Sequence, residues 1–285
     1  MLLLIILRIK SHNYIRCYKV VKNAYKKNIH CKFCGQEKKL IGAHIVPRCF
    51  YLGLKENDKY LSINSRTGEY TIQQKGSLDK NILCAKCDNN ILGAFDKEGF
   101  DVLLGDFNKY KYIYLPPHFK IYQLENTEYN YYKLRNFFIS ILWRASVSDL
   151  EEWSNINLGG YEKKALEILK GENEHDNLFK ILIYKNCFNE EVNQEVLITK
   201  GKTSKYKKYI IQMSGFCIEV MIDSSRVSNK YRQQYEEYFL NASNAHIIET
   251  PEVSWRINKG HNSRISKLQE QNFKPPKPQG ANAMI

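Results

Sequence analysis

Apolar positions along the chain change period several times, and each change predicts an element. "YYKLRNFFISILWRA", residues 131 to 145, is apolar on most faces and predicts a buried helix. Tyr161 to Leu169 predicts a second helix. Residues 179–187, 193–199, 207–213 and 216–222 alternate or run apolar and predict strands, with Ser214-Gly215 turning the last pair into a hairpin. Residues 229–240 return to helical spacing. Nearer the start, "ILCAKCDNNILGAFDKEG" passes from an apolar run into helical spacing at Ile91, Leu92 and Phe95. Residues 51–80 hold turn signals, Glu56-Asn57-Asp58 and Thr67-Gly68, between short alternating pieces, the pattern of an insertion between two strands. Residues 13–28 predict a helix with Lys19, Lys22 and Lys26 on one face. The whole is an α+β pattern without internal repeats.

Charge divides the chain more sharply than periodicity does. Residues 1–115 hold 20 Lys/Arg against 10 Asp/Glu, residues 116–255 hold 17 against 19, and the last 30 hold 6 against 1. A compositional bias toward lysine would have made the middle basic too. The net charge of +13 is therefore concentrated on the N-terminal part and the tail, where it suits a polyanionic partner. Pro116-Pro117 stands where the charge changes, so the expected organisation is a domain over 1–115, an α+β accessory domain over 116–257 and a disordered basic tail over 258–285. The opening "MLLLIILRIK" is too short to cross a membrane and has no basic n-region or cleavage site, so a first strand and a cytoplasmic protein are expected.

Candidate chemistry gathers in the basic part. Two CxxC pairs, Cys31/Cys34 and Cys84/Cys87, are separated by 49 residues. Four thiolates in paired knuckles match tetrahedral Zn²⁺, and a site closed by four cysteines leaves no open position, so this zinc is expected to be structural. Cys17, Cys49, Cys187 and Cys217 stand among apolar neighbours and read as small buried hydrophobes. His44 follows Cys34 by ten positions in "GAHIVP", at the end of a short strand stopped by Pro47. A neutral imidazole there can take a proton from water, although a strand histidine is more often a satisfied core residue. Asp79 and Asn81 precede the second knuckle, and Asp88 follows it on the first turn of a helix, where an aspartate is usually a dipole partner.

Taken together, "CKFCGQEKKLIGAHIVPRCFY", "LDKNILCAKCDN" and "LGAFDKEG" resemble the zinc-stapled HNH endonucleases, and more narrowly a group of uncharacterised bacterial HNH proteins. "LWRASVSD" and "LGGYEKKALEIL" are similar to the same group, so the resemblance spans roughly residues 30–170. It implies a ββα-metal core with a four-cysteine zinc site, followed by a helical hairpin and a small antiparallel sheet. It also implies one-metal hydrolysis of phosphodiester bonds, with DNA as the expected partner and restriction or phage defence as a setting that suits such a nuclease. In this pattern His44 matches the general base, Asp88 the last metal ligand, and Asp79 or Asn81 the residue that ties the loop presenting the base.

One position departs from the pattern. Many family members carry an acidic residue or a histidine directly before the base, as a ligand to the catalytic metal; here it is Ala43. The metal is then expected to rest on Asp88 with Asp79 or Asn81, and a carboxylate ligand favours Mg²⁺ or Mn²⁺ over Zn²⁺. Asp96, two helical turns beyond Asp88, is expected to cap or pair locally. The alternative reading is a catalytically inactive zinc-stapled nucleic-acid-binding module. The accessory domain and the tail are the expected surfaces for any protein partner.

Overall fold

A buried helix near the middle of the chain organises everything around it. A computed structural model describes residues 30–54, 60–63, 70–73, 75–115, 119–172, 178–186, 196–201, 207–223 and 236–250. The expected first strand, the 13–28 helix, the two turn signals at 56–58 and 67–68, Cys17, Cys187 and the tail lie outside these residues.

Strands β1 (Leu40–His44) and β4 (Leu78–Cys84) form an antiparallel pair, and β2 (Tyr60–Ile63) with β3 (Tyr70–Gln73) make a second hairpin inserted between them. A wide π-helical turn, Lys86–Leu92, leads from β4 into helix α1 (Gly93–Leu103). Strands β5 (Lys111–Leu115) and β6 (Phe119–Glu125) follow, then helices α2 (Tyr131–Val147) and α3 (Tyr161–Lys170). The chain closes with β7 (Phe179–Asn186), β8 (Leu197–Gly201), β9 (Lys207–Met213), β10 (Phe216–Ile222) and β11 (Asn244–Thr250). This is a mixed α+β architecture. Among the described residues, no helix is long and apolar enough to cross a membrane.

The C-terminal sheet is larger than expected. Its seven strands run β5-β6-β11-β7-β10-β9-β8, antiparallel throughout except where β11 meets β7 in parallel. The last strand returns to fill the gap between the β5–β6 hairpin and the β7–β10–β9–β8 set, which makes one sheet of two sequence-distant pieces. The division expected after residue 115 falls inside the β5–β6 hairpin, because β5 on one side of Pro116 pairs with β6 on the other. One apolar cluster runs from Cys31 and Phe33 through α1 and α2 to Ile211 and Val220 of the sheet. Only Glu236–Tyr238 of the expected 229–240 helix is described as helical, and it is a single 3-10 turn.

Local chemistry accounts for the elements that frame the site. Asn130 starts α2 by accepting from the Lys133 N–H at 3.0 Å, an N-cap that satisfies one orphan donor of the first turn. Ser214 and Gly215 both take positive φ, 46° and 80°, as a two-residue hairpin turn between right-twisted strands requires. The helix α2 is buried from Leu134 to Ala145, the polar Arg135, Asn136, Ser140 and Arg144 included, so other elements pack around it on all sides. Phe33 of the first knuckle meets Trp143 edge-on at 5.7 Å, and Phe50 stacks on Phe137 at 5.6 Å. Gly99 lets α1 approach: a Cβ there would lie 2.4 Å from the Phe137 ring. Any side chain at that position would wedge the two helices apart.

Candidate metal centre and active site

The first knuckle is a tight turn. The Gly35 N–H donates to Cys31 O at 2.8 Å, the Cys31 N–H donates to Gln36 O at 3.0 Å, and Gly35 sits at φ 70°, a conformation that glycine adopts at no steric cost. The second knuckle is the junction of β4 with the wide helical turn, which carries Cys84 and Cys87. The Cys84 N–H reaches Cys31 Sγ at 3.4 Å, and the Lys32 N–H donates to Ile82 O at 2.8 Å, so the knuckles are stitched together through the main chain as well. All four sulfurs lie within 4.8 Å of one another. Tetrahedral Zn²⁺ with bonds of about 2.3 Å needs sulfurs roughly 3.8 Å apart, so the quartet fits such an ion after a small contraction.

Electrostatics point the same way. Burial raises the Cys31 and Cys87 thiols. Burial raises Cys84 too, but hydrogen bonds from the Cys87 main chain and from the other thiols outweigh it and bring Cys84 down to about 7. Cys84 ionises readily while burial holds Cys31 and Cys87 back, and a bound cation would favour their thiolates. Of the remaining described cysteines, Cys217 is buried in the sheet and Cys49 is half-buried, as small hydrophobes are.

The β1–β4 ladder carries a bulge next to this centre. Ile41 pairs with Leu83 and Ala43 with Asp79, so Gly42 alone faces the stretch 80–82 of β4. Asp79 closes the bulge: its Oδ1 accepts from the Asn81 N–H at 2.7 Å, an Asx turn. Its Oδ2 accepts from Ser148 Oγ at 2.7 Å and from the Asp149 N–H at 3.2 Å, just past the end of α2. The carboxylate is 1 % exposed and both oxygens are engaged. Asp79 is therefore a tether between β4 and the segment after α2, with both its oxygens engaged within the protein. Asn81 contributes its main-chain N–H to the same turn.

His44 ends β1. Its main chain pairs with Leu78, and its carbonyl accepts from Arg144 Nη1 of α2 at 3.0 Å. Its Nε2 is shielded from solvent and has no hydrogen-bond partner. Burial pulls the imidazole below its ordinary range, Arg144 and Arg48 push it further down, and Asp96 opposes them. His44 thus favours its neutral form, with Nε2 buried and unpartnered.

Asp88 lies in the wide turn after Cys87, and its carbonyl takes the Gly93 N–H five residues on. Such π turns are often found at functional sites. Burial raises its carboxyl, with Arg144 opposing and Asp96 adding to the rise. Asp88 and His44 therefore share the same two charged neighbours, and among the described residues the Asp88 side chain makes no hydrogen bond or ion pair.

Ala43, the position that departs from the pattern, is fully buried in the apolar cluster. Asp96 does not pair locally: both its oxygens are taken by Arg144, at 2.7 and 3.1 Å, from a helix 48 residues further along the chain. Arg144 is the residue that periodicity overlooked, and its available signal was a guanidinium within the apolar stretch of α2, because a buried arginine needs a partner. No protein-family model matches the chain, and no curated protein or solved structure is significantly similar to it.

Proposed function

We propose that the chain is a metal-dependent endonuclease of the HNH type that hydrolyses phosphodiester bonds in DNA. The observation that supports this best is the convergence of His44 and Asp88 on the Arg144–Asp96 pair beside the cysteine quartet. These are the two residues to which the resemblance assigns base and metal ligand, and among the described residues neither His44 Nε2 nor the Asp88 carboxylate has a hydrogen-bond partner.

In this reading zinc is a staple. Its four thiolates would hold the β4–helix junction against the first knuckle, fixing the helix that carries Asp88 relative to the strand that ends at His44. The neutral His44 imidazole takes a proton from water at Nε2, and the hydroxide attacks phosphorus in line with the leaving 3′ oxygen. Asp88 is the carboxylate available to hold Mg²⁺ or Mn²⁺, which supplies Lewis-acid stabilisation of the phosphate and leaving oxygen when bound. The excess of positive charge over residues 1–115 draws the polyanion to this end of the molecule.

A second reading, a zinc-stapled nucleic-acid-binding module without cleavage, is favoured by one observation. Asp79 and Asp96 spend their oxygens elsewhere, which leaves Asp88 as the sole free carboxylate of the three. Supercoiled plasmid incubated with the zinc-loaded protein and millimolar Mg²⁺ or Mn²⁺ separates the two. Nicking that a chelator abolishes supports the nuclease. Salt-sensitive binding with no nicking under either metal supports the module.

A further inference from the structure

We infer that Arg144 is the positioning residue of His44, acting as a clamp between α2 and the end of β1; this rests on the reading of His44 as the general base. The guanidinium is 1 % exposed and all three of its nitrogens are spent. Nη1 donates to His44 O at 3.0 Å and to Asp96 Oδ2 at 3.1 Å. Nη2 donates to Asp96 Oδ1 at 2.7 Å and to Ser140 Oγ at 3.1 Å, and Nε donates to Ser140 O at 3.3 Å.

A structural account would treat this as a helix–helix contact. Burying an ion pair is a poor way to make one, since well-packed apolar residues of similar volume are often as stable or more so. What the charged fork does, and an apolar pair does not, is hold one main-chain carbonyl at a set distance from two helices. That carbonyl belongs to His44. The bidentate Arg–Asp geometry fixes the guanidinium plane, Ser140 fixes its root, and the remaining Nη1 donor fixes the strand end. The same charge stands near the imidazole and disfavours its protonated form. The charged groups around the ring are Arg144 on α2, Asp96 on α1, Arg48 in the turn after β1 and Lys75 before β4. Arg144 thus acts through His44, fixing where the ring stands and which form it takes. It also means that a piece ending at residue 115 lacks the clamp.

The test uses the full zinc-loaded chain and three variants, Arg144→Gln, Arg144→Lys and Asp96→Asn. Ring ¹⁵N shifts of His44, followed by NMR against pH without Mg²⁺ or Mn²⁺, report its titration midpoint. The expected midpoint rises in Arg144→Gln, stays near wild type in Arg144→Lys and falls further in Asp96→Asn. Loosening of the fold would instead hydrate the ring and raise the midpoint in all three, and that result overturns the inference. In single-turnover cleavage Arg144→Lys keeps the charge but loses the fork, so its rate should fall by about a hundredfold with DNA affinity unchanged, the scale of a small misplacement. A wild-type rate in Arg144→Lys also overturns it. A wild-type protein that never cuts, with the three midpoints moving as expected, sinks the nuclease reading and leaves the clamp standing. If Arg144→Gln does not fold, the single-turnover rate of Arg144→Lys still decides.

Discussion

Asp79 Oδ2 accepts a 2.7 Å hydrogen bond from Ser148 Oγ, joining the bulged strand before the second knuckle to the segment that leaves α2. Lys32 of the first knuckle reaches the same segment, bonding to Val147 O and pairing with Asp149 at 3.5 Å. The end of α2 is therefore the anchor for both halves of the cysteine quartet. Removing the carboxylate leaves the Asn81 and Asp149 N–H groups and the Ser148 hydroxyl without their acceptor. Asp79→Ala should cost about 2–4 kcal/mol in urea unfolding, the sum expected for several hydrogen bonds to one charged group. Its metal requirement for cleavage should not change, and a changed requirement would return Asp79 to the ligand set.

Elemental analysis of the purified protein should find about one zinc per chain, because the four sulfurs are gathered and one thiol already ionises near neutrality. The apparent binding energy of a structural zinc, roughly 10 kcal/mol or more, rivals the whole stability of an ordinary domain. Chelation should therefore unfold the N-terminal part, followed by loss of its circular dichroism signal. A metal-free protein with the same spectrum and melting temperature contradicts the staple.

Part of this was legible from the sequence. The buried helix at Tyr131, the β9–β10 hairpin and the cysteine knuckles each follow from local pattern, and each stands where the pattern put it. Strands β5, β6 and β11 were not legible. β5 is "KYIYL", a mixed edge strand ending at a proline pair that reads as a break, and Tyr112, Ile113 and Tyr114 are all largely exposed. β11 owes its place to non-local pairing, with β6 on one side and β7 on the other, which no window of residues can reveal. The site divides in the same way. Residue type and spacing bring out the thiols, His44 and Asp88. The neighbours that set the state of His44 come from α1 and α2, and only the packing of those helices brings Asp96 and Arg144 together.

Ala43→Asp tests the departing position. From the family pattern alone, a carboxylate there would restore a ligand. The structure predicts otherwise, because Ala43 is fully buried and stands opposite Asp79 in the ladder. A new carboxylate would be desolvated and would face a like charge. The variant should lose several kcal/mol of stability, with no fall in the Mg²⁺ needed for half-maximal cleavage. A stable variant that works at lower Mg²⁺ would mean that position 43 faces the metal.

The acidic side of the pH profile follows from His44. Its folded-state pKa lies below the ordinary 6.5, mainly through burial and then through Arg144. As the proposed base, His44 keeps its neutral form to a lower pH than an ordinary histidine does, and the cleavage rate should fall as pH passes through that lowered value. The sign for stability is the same: protonation is harder in the folded chain than in the unfolded one. The His44 contribution is therefore fully present above 6.5 and lost as pH falls through the folded value. Single-turnover rates measured from pH 5 to 8 check this, and a rate already falling above pH 6.5 is the contrary result.

The most direct measurement compares nicking of supercoiled plasmid by the wild-type protein, His44→Ala and Asp88→Ala at equal zinc content, with millimolar Mg²⁺ or Mn²⁺ and with a chelator. Metal-dependent nicking is expected of the wild type, with a loss of roughly two to four orders of magnitude in His44→Ala, the scale of a positioned acid–base group. Asp88→Ala should show no metal-dependent cleavage, with zinc and DNA affinity retained in both variants. Cleavage by His44→Ala at the wild-type rate would contradict this, and would reduce His44 to a histidine that merely ends a strand.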